Sequence, residues 1–466
     1  MKIGVIGTGY VGLVVGTCFA ETGHQVICAD VDERKIRMLK DAKVPIYEPG
    51  LEELVKRNLE EGRLHFTTSV AEAVQKSVVI FIAVGTPPKP SGEANLEFLE
   101  EAARSIGAAM DSTRFRVVVN KSTVPVGSGN LVEMLIREGI VEAANGQSAI
   151  RFGVASNPEF LREGTAIADS LYPDRIVVGA GDDQILSIMR ELYRPLVEQS
   201  FEPPEGVPRP EGMLSVKLLA TSLTSAEMIK YSANAFLAMK IGFANEIANI
   251  CERVGAEATE VMRGIGLDSR IGQKFLNPGV GWGGSCFGKD VHALLHTAKE
   301  YGYAGRLLQA SLDVNHEQRM IVIHKLQDRL RILKGRTIGL MGLAFKPDTD
   351  DLRDAPSLSI AERLLALGAR VRAYDPVAMT ACQNLYPQLK LRYCNSVAEM
   401  AKEADALVLV TEWAEFRDLN LAELARSMAT PLLVDGRNQI RAKDAAAAGF
   451  DYAGIGLASL SRVAAY

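Results

Sequence analysis

The chain has 466 residues, of which 47% are hydrophobic and 23% charged, and its formal net charge is -5. The length predicts two or three domains, and the composition excludes a disordered chain because it supplies enough apolar residues for large cores. The slightly negative charge argues against a nucleic acid or an anionic membrane as a partner.

The cysteines and the apolar runs predict a cytoplasmic protein. The six cysteines include no CxxC pair and no histidine spacing that suits zinc, so we expect reduced thiols and no metal site. The chain starts directly on a strand-like segment, so we expect no signal peptide. Its apolar runs are far shorter than the ~20 residues that a membrane-spanning helix needs.

Short β-branched runs alternate with helical patterns through the first 200 residues. Runs bounded by Gly, Pro and Asp are typical of buried parallel strands, and their alternation with helices predicts a doubly wound α/β domain. The strand candidates are residues 2–6, 25–29, 78–84, 116–120, 151–156 and 175–178.

The first candidate strand runs into a GxGxxG motif that opens a helix. In a dinucleotide-binding loop, Gly7 would allow the tight turn, Gly9 would let backbone N–H groups approach a pyrophosphate, and Gly12 would let the helix pack on the strand. The second candidate strand ends at Asp30, in the place of the acid that binds the adenosine ribose hydroxyls. The motif and the acid together predict a dinucleotide site.

The charges around Asp30 favour NAD over NADP. The Asp30 carboxylate, with Asp32 beside it, would repel the 2′-phosphate of NADP. Arg34 and Lys35 could soften that repulsion.

Three later strand ends also carry candidate ligand loops. Residues 84–88 and 121–125 contain Thr86 and Thr123, with ordinary proline-containing turns as the alternative. Residues 157–164 supply Glu159 and Glu163, and either could act as a base on water or cap the following helix.

Prolines mark residues 201–212 as a linker or exposed loop, and the pattern is helical from about 214 to 333. Residues 224–254 lack proline and predict one long helix. Lys230 and Asn234 are spaced i, i+4 on it, where an ammonium and an amide could stabilise an oxyanion. Spacing alone favours a solvated helix face for this pair.

Residues 277–290 are the most informative segment, because four glycines between 279 and 284 precede Cys286. Such glycines are costly in conformational entropy and predict a close approach of the backbone to a ligand. Cys286 would lie near a helix N-terminus, where the dipole favours the reactive thiolate, and Asp290 would share its helix face. A buried, inert thiol is the common alternative for a lone cysteine.

A second α/β region begins near residue 334, with strand candidates at 336–341, 370–374, 406–410 and 431–434. We therefore predict an α/β chain in which two Rossmann-like doubly wound domains are joined by a long central helix and a helical connector. The expected domains are residues 1–200, which would bind NAD, residues 213–325, which are helical, and residues 334–466.

Several motifs stand in order along the chain: GTGYVG, VGTPP, KSTVPVG, NPEFLREG, the helix with Lys230 and Asn234, RIGQKFLNPGVGWGGSCFGKD and GLAFKPDTDDLRDAP. Together they are far more specific than any one alone. On these motifs, and over almost its whole length, the chain resembles the UDP-glucose 6-dehydrogenase family of nucleotide-sugar dehydrogenases.

The resemblance implies a four-electron oxidation of a nucleotide-sugar alcohol to the acid, with two NAD molecules reduced in sequence and one water consumed. It implies that Cys286 captures the aldehyde as a thiohemiacetal, from which a thioester forms, and that Glu159 activates the water that releases the acid. Lys230 and Asp290 would hold the water that assists the first proton removal.

The resemblance also assigns supporting residues. Thr123 and Asn234 would help to organise that water. The residues implied for NAD are Gly7, Gly9, Tyr10, Val11, Gly12, Asp30, Lys35, Thr86, Thr123, Glu163, Lys289 and Arg353. Those implied for the UDP-sugar are Phe160, Leu161, Arg162, Glu163, Lys230, Asn234, Arg270, Phe275, Leu276, Asn277, Gly283, Phe345, Lys346 and Arg437.

The resemblance further predicts a homodimer or a higher homo-oligomer. The family supplies the arginine that matches Arg270 across a subunit interface, and residues 213–325 would form the dimerisation domain, while residues 334–466 would bind the UDP-sugar. One departure is Asn277, where animal members have a lysine, and it puts one diphosphate contact in question.

UDP-glucose is the expected substrate and UDP-glucuronate the product, because residues 270–276 and 280–284 are closest to that branch. GDP-mannose 6-dehydrogenase, with the same mechanism, is the alternative. UDP-N-acetylmannosamine dehydrogenases usually carry a histidine in place of Ser285. A non-catalytic NAD-binding regulator would lack at least one catalytic side chain, and a two-electron hydroxyacid-type enzyme would need no nucleophilic cysteine.

Overall fold

Residues 1–144 and 150–457 are described by a computed structural model, and they divide into two compact units, Met1–Ala233 and Asn234–Tyr466. The strands of the first unit are β1 (Lys2–Ile6), β2 (Gln25–Ala29), β3 (Leu64–Thr67), β4 (Val79–Ile82), β5 (Arg116–Asn120), β6 (Phe152–Ser156), β7 (Arg175–Ala180) and β8 (Lys217–Thr221). Its helices are α1 (Tyr10–Glu21), α2 (Glu33–Lys40), α3 (Leu51–Glu60), α4 (Val70–Lys76), α5 (Glu97–Ala109), α6 (Ser128–Ala144), α7 (Ala166–Leu171) and α8 (Asp183–Val197).

The strands of the first unit form one sheet in the order β3-β2-β1-β4-β5-β6-β7-β8, with every neighbouring pair parallel except β6 and β7. The central strands β4 and β5 are buried along their whole length. Alternate side chains of β4 enter two cores: Phe81 packs in a cluster with Leu13 of α1, and Ile82 in a cluster with Leu99 of α5. Helices therefore cover both faces, as in a doubly wound fold.

Helix α9 (Leu223–Val254) is 32 residues long, and the boundary between the two units falls within it. Its predicted start at residue 224 differs from the observed start by one residue. Among the helices of the described ranges, none is both long and apolar enough to cross a membrane.

The second unit contains another Rossmann-like sheet. Its strands are β9 (Thr337–Met341), β10 (Arg370–Tyr374), β11 (Arg392–Tyr393), β12 (Ala406–Leu409), β13 (Leu432–Asp435) and β14 (Asp451–Gly454). They are all parallel, in the order β11-β10-β9-β12-β13-β14. Its helices are α10 (Ala258–Gly266), α11 (Phe287–Glu300), α12 (Arg306–Leu330), α13 (Pro356–Ala366), α14 (Met379–Leu385), α15 (Val397–Ala401), α16 (Leu421–Ser427) and α17 (Ala442–Ala447), with a 3₁₀ turn at Ala414–Arg417.

Each sheet has an aspartate directly after its second strand, β2 or β10, and this aspartate accepts a hydrogen bond from the loop after the first strand. In the first unit, the N–H of Thr8 donates to Asp30 after β2, and in the second unit the N–H of Leu343 donates to Asp375 after β10. Asp375 is fully buried, and it accepts hydrogen bonds from four backbone N–H groups and from the indole of Trp413. In the second unit, Asp375 thus stabilises the loops around it.

The predicted α/β architecture is confirmed, with some strands wrong or missed. The predicted bounds match β1, β2, β5 and β10, while the short strands β3, β11 and β14 were not predicted. The helical prediction for residues 214–333 is wrong at β8, where the segment KLLAT becomes a strand because it pairs with β7. The parallel arrangement fails at β7, which runs antiparallel to β6.

Candidate active site

The loop between β1 and α1 has the geometry that the GxGxxG motif predicted. Gly7 has φ 99°, a left-handed conformation that favours glycine, and a Cβ there would lie 2.6 Å from the Ala83 carbonyl oxygen. A Cβ on Gly12 would lie 2.0 Å from the Gly7 carbonyl oxygen, so α1 could not pack this close. Gly9 caps α1, and no heavy atom of the described chain beyond its neighbours lies within 4 Å of a Cβ built there. That space suits a pyrophosphate at the helix N-terminus.

Asp30 is held as a carboxylate beside this loop. Its Oδ2 accepts hydrogen bonds from the N–H and the hydroxyl of Thr8, both at 2.8 Å, and from Lys35 Nζ at 3.1 Å. Burial opposes its ionisation, but these donors and the N–H of Asp32 outweigh burial and lower the pKa of Asp30. Oδ1 accepts only the Asp32 N–H among the described donors, at 3.0 Å, and has capacity left for a ribose hydroxyl. The residues present therefore fit NAD.

The loops after β4 and β5 are joined to each other at the same sheet edge. The Thr86 hydroxyl donates to the Thr123 carbonyl and the Ser122 hydroxyl to the Val84 carbonyl, both at 2.7 Å. Because β1, β2, β4, β5 and β6 are parallel, their carboxyl ends lie on one edge of the sheet. This edge brings the dinucleotide loop and the loops of Thr86 and Thr123 together, at the sheet edge that the sequence predicted.

Glu159, after β6, forms a buried ion pair with Lys230 of α9. Lys230 Nζ donates to Oε1 at 2.9 Å, the N–H of Leu161 donates to Oε2 at 2.6 Å, and the paired side chains are 4% and 6% exposed. Burial opposes the ionisation of Glu159, but Lys230 and Leu161 outweigh burial and lower its pKa. Lys230 therefore does not lie on a solvated helix face, which corrects the interpretation that spacing alone favoured.

The ring of Phe160, the next residue, contacts two cations. The Arg175 guanidinium carbon lies 3.6 Å from the ring centroid, and Lys230 Nζ lies 5.4 Å from it. Cation–π contacts of this kind orient both partners. Sequence analysis assigned Phe160 to the substrate but did not select Arg175, which it treated as part of a strand.

Glu48 is a second buried carboxylate that sequence analysis did not select. Its Oε2 accepts hydrogen bonds from the Tyr10 hydroxyl and, at 2.6 Å, from the N–H of Gly164, and its Oε1 accepts the N–H of Ala166 at 2.7 Å. Glu48 thus ties the dinucleotide loop to the loop of Glu159, and it receives the first N–H of α7. Its single sequence signal is a carboxylate between tyrosine and proline in a short loop.

In the second unit, Cys286 is the N-cap of α11, as predicted, and it is partly exposed, whereas the other five cysteines are buried. Asp290, one turn later, is fully buried, and its N–H donates to the Cys286 carbonyl at 2.9 Å. Its Oδ2 accepts Asn234 Nδ2 at 2.6 Å, and its Oδ1 accepts Lys289 Nζ at 2.5 Å. Asn234 is 7% exposed, so it too is absent from any solvated helix face.

The glycines before Cys286 have a different cause from the one predicted. A Cβ on Gly283 would lie 2.3 Å from the Asp354 carbonyl oxygen, and a Cβ on Gly284 would lie 2.7 Å from the Phe345 ring. These glycines let the loop pack closely on its own chain. A nearby ligand is therefore not needed to explain why glycine stands at these positions. The choice between a nucleophile and an inert thiol rests instead on the partial exposure of Cys286 and its helix position.

Three neighbouring residues assigned to the UDP-sugar lie in different environments. Phe275 has φ 65°, a strained value for a bulky residue, while Leu276 is buried in a small apolar core and Asn277 is exposed. Arg437 donates to the Gly281 carbonyl at 3.1 Å, next to the glycine-rich loop.

Three of the assigned arginines lie at the surface. Arg162, Arg270 and Arg353 have side chains that are 63%, 86% and 62% exposed. Each is paired with a nearby aspartate, respectively Asp169, Asp268 and Asp351. Lys346 Nζ lies 5.7 Å from the Phe345 ring centroid. Exposed ion pairs contribute little to stability, so these arginines can turn to an anionic ligand at small cost.

The dinucleotide loop, the ionised strand-end acid and the joined loops at one edge of a parallel sheet define the class of protein. It is an NAD-dependent oxidoreductase.

Family models identify the particular group. The NAD binding domain of the UDP-glucose/GDP-mannose dehydrogenase family matches residues 1–197, its central domain matches residues 224–317, and its UDP binding domain matches residues 339–442. The chain belongs to the UDP-glucose/GDP-mannose dehydrogenase family, and NAD is its cofactor.

Individual relatives span nearly the whole chain. The UDP-glucose 6-dehydrogenase of Rhizobium meliloti (strain 1021) is 47% identical over 461 residues, which cover 98% of this chain and 99% of the relative. The UDP-glucose 6-dehydrogenase TuaD of Bacillus subtilis (strain 168) is 46% identical over 455 residues, covering 98% and 93%. The solved structure of a UDP-glucose dehydrogenase from the hyperthermophilic archaeon Pyrobaculum islandicum has a TM-score of 0.85 at 37% identity and covers 98% of both chains.

Proposed function

We propose that the chain oxidises C6 of UDP-glucose to the carboxylate of UDP-glucuronate, with two NAD molecules reduced and one water consumed. The observation that carries this proposal is Cys286, a partly exposed thiol at the N-terminus of α11 with the buried Asp290 one turn away. Its support is that relatives of nearly equal length are named UDP-glucose 6-dehydrogenases.

The first oxidation takes a proton from the C6 hydroxyl and a hydride from C6. NAD, when bound, accepts the hydride of each of the two oxidations. We assign the proton to a water held by Lys230 and Asp290, with Thr123 and Asn234 orienting it. The contact of Asn234 with Asp290, at 2.6 Å, supports this assignment because it fixes the carboxylate that would hold the water.

The second oxidation uses Cys286. Its sulfur bonds to C6 of the aldehyde while the thiol proton passes to the carbonyl oxygen, which gives a thiohemiacetal. Loss of a hydride from C6 and of the hydroxyl proton then gives a thioester. Capture is needed because a tetrahedral adduct yields a hydride more easily than a free aldehyde carbon does.

Hydrolysis completes the reaction. Water adds to the thioester carbon, the C–S bond breaks, the acid leaves and the sulfur regains a proton. We assign Glu159 as the base on this water, because its lowered pKa keeps it ionised and ready to accept a proton.

The UDP half of the substrate is assigned to the second Rossmann-like sheet. The match of residues 339–442 to a UDP binding domain supports this, as do the cations Lys346 and Arg437, which suit a diphosphate. The residues assigned to NAD and to the UDP-sugar by resemblance remain the proposed binding set, and residues 1–200, 213–325 and 334–466 remain the proposed domains.

We also propose a cytoplasmic homo-oligomer, at least a dimer, with Arg270 reaching a site of the neighbouring subunit. Its exposed side chain supports this role. Further support comes from α9, where Phe236, Phe243 and Ile250 are 59%, 50% and 47% exposed at intervals of seven residues. Side chains at that interval lie along one stripe of a helix, which suits packing against another helix.

The test is the number of NADH molecules formed per sugar. With UDP-glucose limiting and NAD in excess, we expect a ratio of two and formation of UDP-glucuronate. GDP-mannose and UDP-N-acetyl sugars, offered in parallel, should react much more slowly. A ratio near one would contradict the four-electron reaction, and faster turnover of GDP-mannose would contradict the choice of substrate.

A further inference from the structure

Lys121 is a buried cation that the proposed reaction does not use. It follows β5, its residue is 7% exposed, and its Nζ donates to Asn157 Oδ1 at 3.0 Å and to the Tyr193 hydroxyl at 3.5 Å. Burying an ammonium group is costly unless charge or hydrogen bonds compensate it. An apolar side chain would fill this place at lower cost, so the charge itself needs an explanation.

Asn157, the hydrogen-bond partner of Lys121, is fixed on all sides. Its Oδ1 also accepts the Tyr193 hydroxyl, its Nδ2 donates to the Val177 carbonyl on β7 at 2.6 Å, and its N–H donates to the Asn120 carbonyl on β5 at 2.9 Å. Glu159 lies two residues further along, with a proline between them. Because proline restricts its own backbone and that of the preceding residue, a fixed Asn157 helps to fix Glu159.

Charge links Lys121 to Glu159 directly. Lys121 helps to lower the pKa of the Glu159 carboxyl, after the larger effect of Lys230, and Glu159 in turn favours the charged form of Lys121. One buried carboxylate therefore faces two buried ammonium groups. Burial, together with the like charge of Lys230, lowers the pKa of Lys121 to about 8, so Lys121 still carries its charge at neutral and acidic pH.

The charged and hydrogen-bonding groups around Glu159 and Lys121 come from α9, α8, the end of β5 and the loop of Glu159. Lys230 reaches Glu159 from α9, the Leu161 N–H reaches it from its own loop, and Lys121 acts from the end of β5. Tyr193 faces Lys121 from α8, and burial raises the pKa of its hydroxyl, so it stays neutral. Besides Lys230, Lys121 is therefore a cation whose charge lowers the pKa of Glu159.

We propose that Lys121 is a positioning residue for the hydrolytic base, holding Glu159 ionised by its charge and holding the Glu159 loop in place through its hydrogen bond to Asn157. The inference rests on the proposed role of Glu159. It gives the two lysines different tasks, because Lys230 donates a hydrogen bond to Glu159, whereas Lys121 acts on Glu159 through its charge and through Asn157.

Three variants separate charge from hydrogen bonding. Lys121→Gln keeps a donor for Asn157 without the charge, Lys121→Met removes both, and Lys121→Arg keeps the charge. The rate of thioester hydrolysis is measured as the decay of radiolabelled sugar bound to Cys286, across a range of pH.

In both neutral variants, the acidic limb of the hydrolysis profile should move up by about one pH unit, because loss of a nearby cation raises the pKa of Glu159. Lys121→Arg should restore the wild-type limb. Lys121→Met should also lower the plateau rate relative to Lys121→Gln, since it releases Asn157. An unmoved limb in Lys121→Gln, with NADH per sugar still at two, would overturn the role of Lys121 and leave the proposed function standing.

A second readout does not depend on turnover. Infrared difference spectra of the whole protein, with Glu159→Gln as the reference, follow the protonated carboxyl band of Glu159 during an acid titration. We expect this band to appear at higher pH in Lys121→Gln than in the wild type. If the band titrated at the same pH in Lys121→Gln and in the wild type, the inference would be overturned, whatever the NADH ratio. A ratio of one NADH per sugar in the wild type would by itself overturn only the proposed function.

Discussion

Among single residues, burial separates groups that look alike in the sequence. Cys286 is partly exposed while the other five cysteines are buried. Lys230 and Asn234 are buried although their spacing favours a solvated face, because periodicity reports position on a helix and not what covers it. Sequence-local motifs were predictable down to the roles of Gly7 and Gly12. Glu48 was not, because its contact to Gly164 spans 116 residues.

Replacement of Cys286 by serine tests the nucleophile. We expect Cys286→Ser to form acid at a rate lower by on the order of a thousandfold or more, since the residue takes part in bond formation. NADH per sugar should fall from two to at most one, with the sugar left at the aldehyde stage or trapped as an adduct. The matched control is Cys251→Ala, which removes a thiol from a small apolar core. Full acid production by Cys286→Ser would refute the mechanism.

The buried ammonium of Lys121 also predicts how stability depends on pH. Its pKa falls from an ordinary 10.5 to about 8 in the folded chain. Between these values the unfolded chain binds the extra proton, so the wild type should gain stability over Lys121→Gln as pH rises from 8 to 10.5, by at most about tenfold in the unfolding equilibrium per pH unit. Thermal denaturation of both proteins measures this as a Tm difference that shifts in favour of the wild type as pH rises. A constant difference would mean that Lys121 is not shifted.

At the scale of elements, α9 was predictable because 31 residues without proline leave few alternatives to a helix, and the structure gives it 32 residues. The strand β8 was not predictable, because its sequence KLLAT does not alternate polar and apolar residues and its strand form depends on pairing with β7. Short strands depend on their neighbours in the sheet, whereas long helices depend mainly on their own sequence.

The exposed stripe of α9 predicts the effect of charge on assembly. The double variant Phe236→Glu and Phe243→Glu should convert the proposed dimer to a monomer in sedimentation velocity, because carboxylates would have to be buried at the interface. Leu385→Glu, which replaces a 66% exposed side chain on α14, is the control and should leave assembly unchanged. A dimer that survives the double variant would place the interface elsewhere.

For the whole molecule, the alternation of strands and helices predicted both Rossmann-like sheets. The two sheets share one strand order, because β3-β2-β1-β4-β5-β6 in the first corresponds to β11-β10-β9-β12-β13-β14 in the second. What the alternation could not predict is the antiparallel pair of β6 and β7 and the close packing of the glycines before Cys286. Both depend on contacts between distant segments, which leave no periodic signal in the sequence.

The buried Asp375 bears on where the two NAD molecules of the proposed reaction can bind. Its acceptor positions are taken by four backbone N–H groups and an indole, so it cannot receive a ribose in the way that Asp30 can. Both NAD molecules of the proposed reaction would then have to occupy the Asp30 loop one after the other. The aldehyde intermediate must stay bound while NADH leaves and the second NAD binds, and a covalent bond to Cys286 would retain it.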